Sequence, residues 1–235
     1  NLELVNKLKH LIKPFFLKRT KEEAIKEIPP KREIHLTVGM TDLQIGLYKE
    51  MIRNKGVVYR NEAKSCYNNI LSQLRKICLH PYLLKDIEDR SLDPYGRHLV
   101  EAGGKMLLLD KILKKLKKEN HRVLIFSLFT SLLDILEDYC ISQNFEYYRI
   151  DGVTSLEMRD NQIEEFNSPN SKKFIFLLST RSGGMGINLA SADVVILYDS
   201  DFNPQMDLQA IDRAHRIGQT KEVTVYRLIT ENSIE

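Results

Sequence analysis

The sequence lacks long uncharged apolar runs, since its longest strongly apolar stretches have only the length of a strand. A membrane span needs roughly 20 such residues. The opening residues NLELVNKLKH also lack the apolar core and small-residue cleavage site of a secretory signal. Cysteine is scarce, and Cys66, Cys78 and Cys140 form no CxxC pair. These absences argue against membrane proteins, secreted proteins and structural zinc, and they predict reduced packing cysteines in an intracellular protein.

Two phosphate-binding fingerprints are also missing. In the glycine-rich turn at residues 183–186, a GxGxxG pattern fails because Leu189 stands where its last glycine belongs. The one candidate P-loop pair, Gly104-Lys105, is followed by Met106 and has Leu99 in place of the first glycine. A Rossmann-type oxidoreductase is therefore excluded. The glycine-rich turn by itself fits ligand binding and tight-turn packing equally well.

The chain has no strong excess of charge, because 35 Lys and Arg against 32 Asp and Glu leave a net charge of +3. Basic residues are concentrated in two stretches, residues 1–32 and residues 105–122. Both stretches have helical periodicity. Their charges alone therefore favour solvated helix faces over a nucleic-acid-binding stripe.

The first hundred residues are predicted to be mainly helical, with helices over 2–12 and 20–27. Residues 33–38 (EIHLTV) alternate polar and apolar as in a half-buried strand. Thr41-Asp42 is expected to cap the helix that follows. The polar residues 86–104, which contain proline and glycine, are interpreted as a boundary loop.

From residue 105 onward, short β-rich apolar segments alternate with helical patterns, the first of which covers 105–118. The strand-like segments are Val123 to Phe126, Tyr147 to Ile150, Phe174 to Leu178, Val194 to Tyr198 and Val223 to Ile229. The helical patterns between them are Leu132 to Ser142, Glu157 to Phe166 and Leu208 to Arg216. This alternation predicts an α/β fold with a parallel sheet and right-handed crossovers. Ligands of such sheets bind beyond the carboxyl ends of the strands.

The segment QAIDRAHRIGQ contains the most specific candidate site. Gln209, Arg213 and Arg216 have i, i+4 and i+7 spacing, which predicts one helical face with an amide and two guanidinium groups. Two neighbouring arginines repel each other unless they share an anion, and their planar forks suit a phosphoryl group during transfer. The alternative is a pair of surface arginines in ion pairs with Asp207 or Asp212.

The sequence contains neither a lysine-bearing phosphate cradle nor an acidic Mg²⁺ site, which nucleoside triphosphate hydrolysis requires. Arg213 and Arg216 could therefore act only across an interface, on a phosphate that is bound elsewhere. His215 has no evident nucleophile as a partner, so we expect it to have a structural hydrogen-bonding role. The residues thus predict half of an active site.

Several segments resemble motifs IV to VI of the second RecA-like lobe of Snf2-family ATPases. They are VLIFS, YYRIDG, FLLSTRSGGMGINLASADVVILYDSDFNPQ and QAIDRAHRIGQ. Upstream, FFLKRTKEEAIKEIPPKREIHL resembles the stretch leaving the first lobe, and LRKICLHPYLL resembles the family's helical insertion. GKMLLLDKIL and LLDILEDYC are most similar to the imitation-switch (ISWI) group of chromatin remodellers, with the chromodomain-helicase group next.

This resemblance implies a RecA-like parallel sheet flanked by helices and preceded by a mainly helical connecting segment. Residues 1–38 would be the end of the first ATPase lobe and a connector. Residues 39–104 would be the helical insertion and boundary loop, and residues 105–235 the second lobe. The chain would then be a fragment of a longer protein.

The resemblance also implies roles for single residues at the nucleotide. Arg213 and Arg216 would be arginine fingers that reach ATP, which is bound with Mg²⁺ mainly by the first lobe. Gln209 would position them, and Gly186 and Asn188 would border the nucleotide on this side.

A second set of residues would face DNA. Thr180 and Arg181 would contact the phosphate backbone, and Gly152 would offer a backbone N–H. Phe202 stands where the family usually has tryptophan, so it keeps apolar contact at the DNA groove but loses the indole N–H. Leu128 replaces a usual glutamine, which removes a polar side chain from motif IV.

The resemblance as a whole implies the C-terminal half of a nuclear, ATP-dependent motor that translocates DNA and remodels nucleosomes. Its partners would be DNA, the histone octamer and the first lobe, with no membrane, and this chain alone would not hydrolyse ATP. Two alternatives remain. One is a lobe of another superfamily-2 helicase or translocase that acts on RNA or naked DNA. The other is a non-catalytic docking module with the same fold, which would tolerate the loss of both arginines.

Overall fold

The computed structural model describes residues 2–15, 28–58, 65–89, 91–181 and 186–235. The helix predicted over 20–27 and most of the glycine-rich turn at 183–186 lie outside these residues. No helix in the described ranges is long and apolar enough to cross a membrane. Cys78 and Cys140 are buried free thiols, as predicted for packing residues.

Six parallel strands form one sheet in the order β1-β6-β5-β2-β4-β3. The strands are β1 (Lys31–Val38), β2 (Val123–Ser127), β3 (Tyr147–Ile150), β4 (Ile175–Ser179), β5 (Val194–Leu197) and β6 (Val223–Thr230). All five strands predicted after residue 105 are confirmed, and so is the parallel α/β architecture. The strand predicted over 33–38 is β1, which pairs with β6 along its whole length, from Lys31 opposite Val223 to Val38 opposite Thr230.

The described residues also form helices. They are α1 (Leu2–Ile12), α2 (Asp42–Val58), α3 (Ser65–Leu79), α4 (His98–Glu101), α5 (Gly104–Lys118), α6 (Thr130–Ser142), α7 (Leu156–Asn167) and α8 (Pro204–Ile211). Short 3₁₀ helices cover Lys13–Phe15 and Pro81–Leu83.

The helix predicted over Leu208 to Arg216 is wrong in its bounds. It begins earlier, because the Asn203 side chain accepts a hydrogen bond from the Gln205 N–H at 3.1 Å and Pro204 occupies the first turn. It ends at Ile211, after which the backbone continues in turns.

Alternate residues of the central strands enter two separate cores. One core contains Ile125 and Leu177, together with residues of α5 and α6. The other contains Leu124 and Phe176, together with residues of α7 and α8. Burial on both faces explains why these strands are continuous apolar runs in the sequence.

Gln44 joins the helical segment to the sheet-bearing part of the chain. Thr41 Oγ1 accepts the Gln44 N–H at 3.3 Å and Gln44 Oε1 accepts the Thr41 N–H at 3.1 Å, which is a capping box at the start of α2. The predicted cap is therefore confirmed. Gln44 is also buried, donates to the Ile77 carbonyl at 2.6 Å and accepts the Gly104 N–H at 3.0 Å. One side chain thus connects the starts of α2 and α5 with the end of α3.

His80 makes a second buried connection and gives a prediction for pH dependence. Its Nδ1 accepts the Tyr82 N–H at 3.2 Å, and its Nε2 donates to the Leu99 carbonyl at 2.8 Å. Burial lowers the pKa of His80 from 6.5 to about 4. Between pH 6.5 and about pH 4, His80 is therefore protonated in the unfolded chain but neutral in the folded chain. The stabilising effect of neutral His80 is fully present above pH 6.5 and is lost as the pH falls toward 4.

Urea unfolding of wild type and His80→Asn checks this expectation, because asparagine keeps an acceptor for Tyr82 and does not titrate. We expect the free energy of unfolding of the wild type, relative to that of His80→Asn, to fall by about 2–3 kcal/mol between pH 7.5 and about pH 4.5. A difference that stays constant over this range would show that His80 is not a buried neutral side chain.

Candidate functional site

The candidate DNA-facing residues lie on segments that follow the carboxyl ends of three strands of the sheet. Gly152 comes two residues after β3, Thr180 and Arg181 directly follow β4, and Phe202 follows β5. The strands are parallel, so these segments share one edge of the sheet. The structure therefore places the predicted DNA-facing residues on one side of the fold.

Arg213 and Arg216 do not extend a helical face from Gln209, so that expectation is wrong. Beyond Ile211 the hydrogen bonds tighten, with the Arg213 N–H donating to the Ala210 carbonyl at 3.1 Å. Such i to i−3 bonds narrow the helix and rotate the following side chains away from the α-helical positions. Gln209 remains exposed on the last turn of α8.

The arginine segment is instead bound to the segment that follows the glycine-rich turn. Arg216 Nη1 donates to the Gly186 carbonyl at 3.1 Å, and the Leu189 N–H donates to the Arg213 carbonyl at 3.0 Å. Gly186 has φ +61°, a conformation that favours glycine. Buried Leu189 anchors the segment, while Asn188 is exposed. The structure thus brings together the two parts of the chain that were predicted to border a nucleotide.

Positive charge accumulates at Arg213 and Arg216. Burial lowers the pKa of Arg213, and the nearby Arg216 guanidinium lowers it further, while Asp212 has a smaller opposing effect. Arginine keeps its charge at neutral pH. The pair therefore forms a half-buried site whose internal repulsion an anion would relieve.

The alternative of local ion pairs is only partly realised. Asp207 is buried and is bound by Arg227 from β6, so it is not the partner of either candidate arginine. Asp212 does act on Arg213 electrostatically, although less strongly than Arg216 does.

Two neighbouring side chains stabilise the turns around the arginines. His215 Nε2 donates to the Pro29 carbonyl at 2.9 Å, which confirms its structural hydrogen-bonding role and joins the turn to the residues before β1. Buried Gln219 donates to the carbonyls of Ala192 at 2.7 Å and Ala214 at 3.1 Å. Sequence reasoning missed Gln219, for which the only signal was its place at the end of the QAIDRAHRIGQ segment.

The candidate DNA-facing residues differ in exposure. Arg181 and Gly152 are exposed, and Phe202 is 80% exposed. Thr180 is only 3% exposed, and its backbone N–H donates to the Ser127 carbonyl at 2.9 Å. The Thr180 Oγ1 atom is buried without a hydrogen-bond partner among the described residues. Three of the four predicted DNA-facing residues therefore lie at the surface.

A buried ionic network, also missed from the sequence, lies beneath this edge. Lys105 Nζ donates to the Tyr198 carbonyl at 2.8 Å and pairs with Glu235 at 2.7 Å. This lysine belongs to the rejected P-loop pair, and its burial supports that rejection. Burial raises the pKa of Asp199 to about 6, although the Leu128 N–H donates to its carboxylate. The motif IV residue Leu128 thus contributes its backbone here.

The described residues contain no group of three or more His, Cys, Asp or Glu side chains that could hold a metal ion.

The chain is similar to known proteins over nearly its whole length. The description "Helicase conserved C-terminal domain" matches residues 104–218, and "SNF2-related domain" matches residues 1–83. The chain is 53% identical to the ISWI chromatin-remodeling complex ATPase ISW2 of Saccharomyces cerevisiae, over 99% of this chain and 21% of that protein. It is 54% identical to the ISWI chromatin-remodeling complex ATPase CHR17 of Arabidopsis thaliana, over 99% of this chain and 22% of that protein.

A human relative, the SWI/SNF-related matrix-associated actin-dependent regulator of chromatin subfamily A member 1, is 53% identical over 99% of this chain and 23% of its own length. The chain thus spans about a fifth of the length of these curated relatives. Among solved structures, the C-terminal part of the Fun30 ATPase domain matches with a TM-score of 0.77 and 30% identity, over 88% of this chain and 87% of that one. The chain therefore belongs to the Snf2 family of ATPases, as the C-terminal helicase lobe with the helical segment that precedes it, and its similarity to ISWI proteins confirms the predicted group.

Proposed function

We propose that this chain is the C-terminal half of a nuclear, ATP-dependent motor that translocates DNA and remodels nucleosomes. The observation that carries the proposal is the half-buried pair Arg213 and Arg216, bound to the Gly186 segment beside exposed strand-end loops. This chain has no phosphate cradle of its own, so the pair acts on ATP held by the first lobe.

Arg216 supplies charge where the transferred phosphoryl group becomes more negative. A guanidinium has five N–H donors, so the contact with the Gly186 carbonyl orients the fork and leaves donors for phosphoryl oxygens. Arg213 adds a second positive charge. Gln209, four residues before Arg213, and Asn188, two residues after Gly186, are exposed and border the nucleotide. Mg²⁺ would be held together with ATP by the first lobe.

The strand-end loops hold the DNA backbone without reading bases, which is what translocation along any sequence requires. Arg181 contributes charge, Gly152 contributes a backbone N–H and Phe202 contributes an apolar surface. Thr180 is buried, so its hydroxyl reaches a phosphate only when its surroundings rearrange. Closing of the two lobes on ATP and reopening after hydrolysis moves these loops along the DNA.

ATPase assays of the full-length protein test this proposal against its alternatives. We expect nucleosomes to stimulate hydrolysis more than the same length of naked DNA, and RNA to have little effect. Stronger stimulation by RNA or naked DNA would favour another superfamily-2 motor. Hydrolysis that persists without both arginines would favour a docking module.

Opposite ends of β4 provide a matched test of the DNA-facing edge. Arg181 follows β4, whereas exposed Lys172 precedes it, so the two substitutions remove one positive charge at opposite edges of the sheet. In the full-length protein, Arg181→Ala should weaken DNA binding several-fold and reduce the slope of log K against log salt by about 1. Lys172→Ala should change neither value. Equal effects of both variants would show that binding follows net charge and not this edge.

A further inference from the structure

Arg75 of α3 contacts the loop that carries Phe202, here called the Phe202 loop (residues 199–203). Its Nη2 donates to the Ser200 carbonyl at 2.7 Å and lies 3.7 Å from Asp199 Oδ2. Its Cζ lies 4.8 Å from the centre of the Phe202 ring. The Arg75 side chain is only 12% exposed. One guanidinium thus contacts the backbone, a buried carboxylate and the aromatic ring of the same loop.

The exposure of the Phe202 ring makes its contact with Arg75 important for the orientation of the ring. Phe202 is 80% exposed, so packing in the protein interior does little to orient it. A guanidinium against the ring face attracts it, and the attraction is stronger where the cation is desolvated. Arg75 is largely desolvated, so its contact has a strong influence on where the ring lies.

Arg227 also binds the Phe202 loop. It donates to Ser200 Oγ at 2.6 Å and to the Asp207 carboxylate, which in turn accepts the Asp201 N–H at 3.1 Å. These bonds restrain the backbone of the loop. Arg75 contacts both the backbone of the loop and the Phe202 ring.

Arg75 is presented by a firmly attached helix. The Tyr198 hydroxyl donates to the Leu79 carbonyl at 3.1 Å, and Gln44 binds the Ile77 and Cys78 carbonyls at the same end of α3. Arg75 belongs to the region matched by the SNF2-related description, whereas the Phe202 loop belongs to the helicase C-terminal match. A side chain of the helical insertion therefore contacts a surface loop on the sheet-bearing lobe.

We propose that Arg75 is a positioning residue for DNA engagement, which holds the Phe202 loop in the conformation that presents the ring to DNA. The inference rests on the proposed function of this edge in DNA binding. Without the guanidinium, DNA must order the loop itself, and the conformational entropy of that ordering weakens binding. Lysine does not replace arginine here, because it cannot both stack on a ring and donate in a fork.

The full-length protein tests the proposal through a double-mutant cycle with Arg75→Lys and Phe202→Leu. We expect Arg75→Lys to raise the DNA concentration for half-maximal ATPase stimulation about three- to tenfold, with kcat at saturating DNA changed less than about twofold. Phe202→Leu keeps an apolar side chain but removes the ring face. The double variant should therefore bind DNA no more weakly than Phe202→Leu alone. Arg53→Lys, on the exposed surface of α2, is the matched control and should resemble wild type.

Hydrogen exchange of the same proteins without DNA provides a second readout. We expect the amides of residues 199–203 to exchange faster in Arg75→Lys than in wild type or Arg53→Lys. Two results would overturn the positioning role. One is unchanged exchange of these amides in Arg75→Lys, and the other is a double variant in which the losses of DNA affinity from Arg75→Lys and Phe202→Leu multiply. Faster exchange in an enzyme that DNA does not stimulate would support the contact between Arg75 and the loop and would count against the proposed function.

Discussion

Arg216→Ala in the full-length protein should lower kcat for ATP hydrolysis by about 10³-fold or more, the usual effect of losing an arginine finger. ATP affinity should stay within a few-fold of wild type. In the proposed mechanism, the guanidinium interacts most strongly with the charge that develops in the transition state, whereas the first lobe would provide ground-state binding. Single-turnover hydrolysis and equilibrium binding of a fluorescent ATP analogue separate these two effects.

Arg216→Lys separates catalysis from support of the loop. A lysine amine can still donate to the Gly186 carbonyl, which Arg216 Nη1 contacts at 3.1 Å, but it lacks the planar fork. If Arg216 acts on the phosphoryl group, lysine should restore little activity. Recovery of near wild-type kcat by lysine would show that the contact with Gly186 is its main role. An equal loss of ATP affinity and hydrolysis in the alanine variant would also indicate a scaffolding role.

Gly104→Ala should destabilise the lobe by about 3 kcal/mol or more, because it overpacks a site with no room for a methyl group. A Cβ at Gly104 would lie 2.1 Å from the Gly39 carbonyl oxygen and 3.2 Å from Val38 Cγ1. The nearest atom belongs to the backbone just after β1, so it cannot rotate away as a flexible side chain would. Relief requires that the start of α5 and the end of β1 move apart.

Gly46→Ala is the matched control, because no atom lies within 4 Å of a Cβ at that position in α2. It should stabilise the chain by about 0.5–1 kcal/mol, since alanine has the higher helix propensity. Urea unfolding of the three proteins, followed by circular dichroism, measures both changes. Similar stabilities for Gly104→Ala and Gly46→Ala would contradict the close approach of α5 to the backbone after β1.

The strands after residue 105 could be predicted because burial of both strand faces requires a continuous run of apolar residues in the sequence. Ile125 and its neighbour Leu124 enter different cores, so the whole strand must be apolar. The periodicity of residues 33–38 likewise indicated a strand. It could not identify β6 as the partner, because parallel pairing depends on residues nearly two hundred positions away. The division of the chain at residues 38 and 104 stays a prediction.

The candidate site was predictable in composition but not in geometry. The spacing of Gln209, Arg213 and Arg216 indicated an anion site, yet it also predicted a helical face that the chain does not form. Helical periodicity cannot show where α-helical hydrogen bonds give way to tighter turns. The burial of Thr180 had no local signal either.

The chemical character of these residues could be read from their local order: which positions are apolar with strand or helix periodicity, which motifs occur, and that these 235 residues contain no phosphate cradle. Which distant groups meet depends on the packing of the folded chain. Arg216 reaches the Gly186 carbonyl, His215 reaches Pro29, and Arg75 reaches the Phe202 ring. These contacts follow from how the elements pack around the sheet, and side-chain pairing across such distances leaves no periodic trace in the chain.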